Sequence, residues 1–392
     1  MYEQFEAIVV GAGSFGAWTA LELRRRGRRV ALVEAYGPAH SRASSGGESR
    51  IIRMGYGPNE IYTYWSMRAL DLWQELFART GRPLFHGTGV LWLGRSPDVD
   101  PYNSASLAAF ELLGVPHQTL SRQELARAYP QVFLDDDVSW GLMETRSGVL
   151  LARRAVAAVV ERAIREGVQY LQAVVVPPSL DASVNGRLQA VETAGGPPIR
   201  VGGDGVIIFA CGPWLGKLFP DLLGERIFIS RQEIFFFAPP PGDSRFAPPA
   251  LPAWIDLAHE AYGMPDLESR GVKAALDRHG PSFDPDSGDR LPSRQGLDDT
   301  RRYLECRFPA MRDAPVVEAR VCQYENTSGG DFLLDRHPAF ENVWLAGGGS
   351  GHGFKHGPAV GEYLTTRILG AAPAEMRFSL KTKLAVQRRA IF

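Results

Sequence analysis

The sequence predicts an α/β (α+β) protein: a Rossmann-like nucleotide-binding domain, discontinuous in sequence, joined to a second domain built on a mixed sheet. Three observations predict it. A glycine-rich turn, GAGSFG, follows a short β-branched run at the start of the chain. A second strand–glycine–helix junction recurs near the end, in VWLAGGGSGHGFKHGPAVGEYL. Between them lies IFISRQEIFFF (227–237), rich in β-formers, which suggests the broad sheet of another domain.

The first element is AIVV, Ala7 to Val10, a strand that ends at Gly11. Ala17, Ala20 and Leu21 recur at helical spacing, and Arg24 to Arg26 with Gly27 close that helix. Val30 to Val33 is a second strand, running directly into Glu34. Gly11 permits a tight turn, Gly13 lets a pyrophosphate approach the backbone, and Gly16 allows close helix packing. The helix start at Ser14 offers free N–H groups to phosphate. Glu34, 23 residues after Gly11, suits both ribose hydroxyls and would repel a 2′-phosphate. A glycine turn alone is weak evidence, but here strand, helix, strand and acid stand in order. The motif by itself does not separate FAD from NAD.

The next stretch favours a flavin. A small-residue loop, Ser41 to Gly46 with Ser45 near its end, leads into GESRIIR (47–53) about a dozen residues past Glu34. NAD-binding domains usually continue with another helix and strand. Here the next helix-like run begins only near Tyr62. An extended RxxR segment would set Arg50 and Arg53 beside the cofactor, where cations stabilise a reduced anionic ring.

The remaining elements follow in order. Residues 62–80 form an amphipathic helix with Trp65, Ala69, Leu72, Trp73, Leu76 and Phe77 on one face, a core stripe. A strand at GVLWL (89–93), helices near 104–114 and 153–167, and a strand over 168–176 come next. GVIIFA (205–210) is a buried strand that stops at CGPW (211–214), where such folds meet their cofactor. The Pro-rich 239–252 and polar 280–296 read as exposed loops.

Composition sets the limits. A chain of 392 residues buries about three quarters of its unfolded surface, so its core needs no disulfide or metal. With 43 basic against 44 acidic residues, neither a nucleic-acid nor a membrane-surface partner is expected. No 18-residue apolar run exists, and MYEQFEAI lacks a basic start, so neither a span nor a secretory signal is expected. Cys211, Cys306 and Cys322 form no framework, which points to a reducing cytoplasm. Only five basic residues are lysine (Lys217, Lys273, Lys355, Lys381 and Lys383), so a lysine in an apolar setting stands out. His352 and His356 are an i,i+4 pair, but no accompanying acid marks a metal site, and none is expected.

GAGSFG, ESRIIR, GVK, the Cys322–Asn326 run with DPD upstream, and SGHGFK together resemble the monomeric sarcosine oxidase and N-methyltryptophan oxidase family of D-amino-acid-oxidase-like flavoproteins. The matches spread over nearly the whole chain. The resemblance implies an FAD-binding domain over 1–85, 147–226 and 321–392, and a substrate domain over 86–146 and 227–320 that roofs the flavin. It implies that Cys322 joins the flavin covalently, with neighbouring Arg320 able to lower its pKa. It implies that Lys273 lies over the flavin and activates oxygen, and that Arg53 and Lys355 hold a substrate carboxylate. Arg50 matches a cation near the ring, and Tyr324 a pocket aromatic. Gly349, Gly351 and Gly353 then belong to the cofactor loop that ends at Lys355. For Cys211 and Cys306 a small buried or surface role is the expectation.

The resemblance also implies an activity: oxidation of an N-alkyl amino acid by a monomer, with O₂ reduced to hydrogen peroxide and the imine hydrolysed. Departures from the family pattern argue that sarcosine is not the best substrate. One family histidine is replaced by Ser45, Gly46 or Gly47, a second by Asp277, and a phenylalanine by Gly349. A more polar or larger secondary amine is expected, its charge able to pair with Asp277. The alternatives are a dehydrogenase of the same fold using another acceptor, which Lys273 opposes, an NAD enzyme, which ESRIIR and Cys322 oppose, and a non-enzymatic flavin or sensor module, for which no partner-like domain or long linker is seen.

Overall fold

The computed structural model describes residues 4–179 and 183–388. The ends of the expected cofactor domain, 1–3 and 389–392, lie outside them. Two sheets dominate. The first has seven strands, in the path Leu333–Arg336, Val343–Gly347, Ile199–Phe209, Phe5–Val10, Val30–Glu34 and Gln169–Gln172, with Ala190–Val191 off that path. Its central pairings are parallel, and only Leu333–Arg336 and Ala190–Val191 run antiparallel to their neighbours. All five residues of Val30–Glu34 are buried. Such continuously buried strands are what a parallel sheet covered on both faces requires.

The second sheet has eight strands. Val316–Asn326 lies at one edge, then Phe228–Phe237, Val272–Leu276, Ala261–Met264, Ala253–Asp256, Val90–Gly94, Trp140–Glu144 and His117–Ser121. It is mixed: Ala253–Asp256 pairs parallel with Val90–Gly94, and the rest are antiparallel. Phe228–Phe237 is thus one long strand, locked along its length to the strand that carries Cys322 and Tyr324. The expected boundary at 320/321 falls inside this strand, whose whole length pairs in the roof. A small third sheet joins Arg50–Ile52 and Phe85–His86 to Gly148–Leu150.

Helices close where the sequence gives them reason. Glu60–Thr80 ends at Gly81 with φ of 66°, a left-handed cap. Pro101–Leu113 starts with proline at its first turn and Asp100 accepting Asn103 N–H at 3.2 Å. Ala152–Arg165 occupies the expected place, whereas the strand predicted over 168–176 stops at Gln172. No helix among the described residues is long and apolar enough to cross a membrane.

Candidate active site

Helix Ser14–Arg25 starts at Gly13, which has no side chain to cap its first N–H groups. Gly11 has φ of 100°, and a Cβ there would stand 2.4 Å from the Ala210 carbonyl oxygen. A Cβ on Gly16 would meet the Gly11 carbonyl oxygen at 1.9 Å, so helix and turn can pack only without one. Gly13 has space before it, with Ser45 Oγ the nearest neighbour at 3.5 Å. Ser45 Oγ accepts Ser14 N–H at 3.1 Å, and Ser14 Oγ donates to the Phe354 carbonyl at 2.7 Å. The first glycine turn is thereby tied to the second. Glu34 accepts Ala12 N–H at 2.8 Å and Tyr36 N–H at 3.1 Å, which fixes its carboxylate at the tip of its strand.

Gly11, Gly13, Ser14, Glu34, Ser45 and Phe354 line one cavity of about 390 Å³. It runs from Glu34, Tyr36, His40 and Trp214 past Gly11 and Gly13 to Arg50, Cys322, Tyr324, Gly349, Gly351 and Gly353. Length, glycine cradles at both turns, an uncapped helix start and a terminal acid fit a dinucleotide with a second ring system at the Cys322 end. Its wall does not include Arg53, Lys273 or Lys355.

At the Cys322 end, Arg50 Nη2 donates to Cys322 Sγ at 3.3 Å and to the Ser44 carbonyl at 2.8 Å. The cation at the sulfur is therefore Arg50 rather than the expected Arg320. Arg320 is engaged instead with Glu48 and Glu318, at 2.9 and 2.6 Å. Lys273 is 2% exposed, and its Nζ donates to the Ser49 carbonyl at 2.9 Å. Burial, then the Arg50 charge, holds its pKa well below that of an ordinary lysine.

Arg53 and Lys355 converge elsewhere, on Tyr56. Lys355 Nζ donates to Tyr56 Oη at 2.9 Å and to the His352 carbonyl at 3.0 Å. The Arg53 guanidinium lies 4.3 Å from the Tyr56 ring centroid and 5.1 Å from that of Trp92, and bonds the Gly55 carbonyl. Tyr56 Oη meets His356 Nε2 at 2.8 Å and His352 Nδ1 at 3.4 Å. Burial keeps His356 uncharged, its pKa well below the usual histidine value. Buried Glu144 secures the segment by accepting the N–H groups of Met54 and Gly55 at 2.6 and 2.9 Å and Trp92 Nε1 at 2.7 Å.

Tyr324 Oη donates to Asp277 Oδ1 at 2.6 Å. Burial, followed by the Asp277 charge, raises the tyrosine pKa well above its ordinary value. A Cβ on Gly351 would stand 2.7 Å from the Tyr324 ring, so the cofactor loop and this aromatic touch. Sequence reasoning passed over Tyr56, Glu144 and Glu325, and weighed His356 only as half of a metal-type pair. None sits in a motif of its own, and each acquires meaning from residues far along the chain.

Fold and site define a dinucleotide-binding oxidoreductase whose second sheet packs near the cofactor end of the first. Residues 6–367 match the DAO family, described as FAD-dependent oxidoreductases. The chain belongs to this family, whose members act on CH–NH bonds. Peroxisomal sarcosine oxidase of Homo sapiens is 30% identical over 378 residues, 94% of this chain and 93% of its own. Monomeric sarcosine oxidase of Bacillus sp. (strain NS-129) is 30% identical over 370 residues, 93% and 92% of the two chains. The solved structure of L-proline dehydrogenase from P. horikoshii superposes with a TM-score of 0.82 over 97% of this chain and 98% of its own, at 20% identity, a likeness of fold.

Proposed function

We propose that the protein is an oxidase of secondary (N-alkyl) amino acids that uses covalently held FAD and O₂. Bound FAD would supply the hydride acceptor for the C–H bond beside the amine nitrogen and the electrons that reduce O₂ to hydrogen peroxide. The chain does the rest. Gly11, Gly13 and Ser14 cradle the diphosphate, Gly16 lets the helix pack on that turn, Glu34 holds the ribose, and Ser45, Gly349, Gly351 and Gly353 border the cofactor. Cys322 anchors the ring, with the Arg50 guanidinium in contact with its sulfur.

Arg53 and Lys355 bind the substrate carboxylate, both buried and steered by Tyr56. The amine enters uncharged in this dehydrated setting, so no side-chain base is required, and water hydrolyses the imine. Tyr324 lines the substrate side and presents Asp277, which favours a polar or larger secondary amine over sarcosine. A steady-state comparison of sarcosine, N-methyltryptophan, proline, pipecolate and fructosyl amino acids tests this, and sarcosine as clear best substrate would overturn it. The cofactor domain comprises 1–85, 147–226 and 321–392 and the substrate domain 86–146 and 227–320, with Val316–Asn326 bridging them. We place the enzyme in the cytoplasm as a monomer, in keeping with its balanced charge and three free cysteines.

One observation carries the choice of O₂ as acceptor: Lys273 is a buried lysine next to Arg50 and Cys322, held on the Ser49 carbonyl. An ammonium there stabilises the negative charge that builds on oxygen as it is reduced. Lys273→Met should slow flavin reoxidation by orders of magnitude and leave flavin reduction nearly intact. Equal oxygen reactivity of that variant in stopped flow would remove Lys273 from the oxygen step.

A further inference from the structure

Three carboxyl groups line the cofactor cavity: Glu34, Asp286, which is paired with Lys217, and Glu325, which the substrate machinery does not use. It follows Tyr324 in the same strand and points the other way, toward the ends of the nucleotide strands. Its Oε1 accepts Gly348 N–H at 2.8 Å, and a Cβ on Gly347 would stand 2.3 Å from that oxygen. Its Oε2 turns to Gly212, where a Cβ would lie 3.8 Å away. Gly212 and Gly347 both line the cavity. Among the described residues no cation pairs with this carboxyl.

The groups facing it are few. Gly348 and Gly349 supply N–H groups, and the Ser350 N–H is spent on the Glu325 carbonyl at 2.8 Å. Cys211 is the titratable neighbour, its thiol pushed up by burial and then by the charges of Glu34 and Glu325. Glu34, at the other end, has two backbone donors on its oxygens. Glu325 thus sits buried, facing a cavity built for a diphosphate, without a counter-charge. A dinucleotide brings further negative charge, and two anions in a dry site repel.

We propose that Glu325 is the proton-holding acid of the cofactor cradle: it is neutral when FAD is bound, so that binding FAD takes one proton from solvent. Burial already raises its pKa to about 7, partly offset by the Gly348 and Gly349 N–H groups. The inference rests on FAD as cofactor and is independent of substrate or electron acceptor.

The test uses the full-length chain carrying Cys322→Ala, so that FAD exchanges freely, with and without Glu325→Gln. FAD is titrated into the apoprotein by fluorescence from pH 6 to 8.5, and by calorimetry in two buffers of different protonation enthalpy. The parent should lose affinity above neutral pH, approaching tenfold per pH unit, with close to one proton taken up at pH 8. Glu325→Gln should abolish that slope and bind more tightly than the parent at pH 8, while His40, which also lines the cavity, is common to both chains. A purely structural carboxyl would leave the slope alike in both chains, and that result overturns the proposal. Failure of the parent to bind FAD at any pH would overturn the cofactor assignment together with it.

Discussion

Arg50 and Lys273 donate to the same carbonyl oxygen, that of Ser49, at 2.8 and 2.9 Å. Two cations, one from the ESRIIR segment and one from the roof sheet, thus meet at one backbone atom beside Cys322. The pairing bears on pH dependence. Burial and the Arg50 charge both disfavour the ammonium form of Lys273. Oxygen reduction that needs the ammonium should therefore fail on the alkaline side well before an ordinary lysine would titrate. Arg50→Gln removes the larger of the two charges, Arg50 and Arg320, that depress it alongside burial, so this alkaline limb should move to higher pH. Stopped-flow reoxidation across pH reads it; an unmoved limb separates Lys273 from the oxygen step.

The Arg50–Cys322 contact carries a second expectation. Acid precipitation of the purified protein should leave its yellow colour in the pellet. Cys322→Ala should remain a flavoprotein but release the colour to the supernatant, because the nucleotide cradle does not involve the thiol. Arg50→Lys should slow covalent incorporation, since lysine does not reproduce the guanidinium fork whose one arm holds Ser49 while the other reaches Ser44 and Cys322. Yellow released from the unaltered protein would leave Cys322 a cavity-lining thiol and nothing more.

How far these features were legible depends on how local they are. The GAGSFG turn and Glu34 act within one βαβ unit, so spacing alone located them. The strand at GVIIFA begins six residues earlier than its apolar run, at Ile199, because IRVGGD hides its first half behind glycine and charge. The junction after VWLAG does not open directly into a helix. Ser350 and Gly351 have φ of 46° and 77°, and α-helix begins only at Gly357 after a 3₁₀ turn, Phe354–His356. Resemblance located Lys355 and Arg53, yet their common partner Tyr56 was invisible. It lies 300 residues from His356 and reads locally as one aromatic in a glycine loop. The sulfur's cation was misassigned for the same reason: Arg320 is near in sequence, whereas Arg50 is near in space.

Tyr56 supplies a third prediction. Tyr56→Phe deletes the hydroxyl that accepts from Lys355 and meets His356. Lys355 keeps the His352 carbonyl but loses its second anchor, so its ammonium wanders from the direction set for a carboxylate. A hydrogen bond to a charged group contributes about 1.5–3 kcal/mol, so KM should rise at least roughly tenfold with kcat less affected. His356 Nε2 would be left buried without its partner, costing about 1–3 kcal/mol of stability. Steady-state kinetics on a carboxylate-bearing amine and on its decarboxylated analogue separate the two effects. Equal KM changes for both would place Tyr56 in the fold's support and remove it from substrate positioning.

Glu325 makes a prediction about the apoprotein that needs no ligand. Its carboxyl pKa is raised to about 7 in the folded chain from a reference value of 4.5. Between those values the folded state holds a proton that the unfolded state has released. Stability therefore falls as pH rises from about 4.5 to about 7, and the loss is complete above that window. Below it, both states are protonated and the effect vanishes. A shift of this size corresponds to a ceiling of ~3 kcal/mol. Glu325→Gln keeps an oxygen for the Gly348 N–H and carries no charge, so it escapes the loss. Other buried titrating groups, such as Lys383 at about 8, are common to both chains and drop out of the difference. In the Cys322→Ala background, denaturant unfolding should show Glu325→Gln close to the parent at pH 4.5 and clearly more stable at pH 8. A difference that stays constant with pH would mean that Glu325 is ionised or exposed in the folded chain.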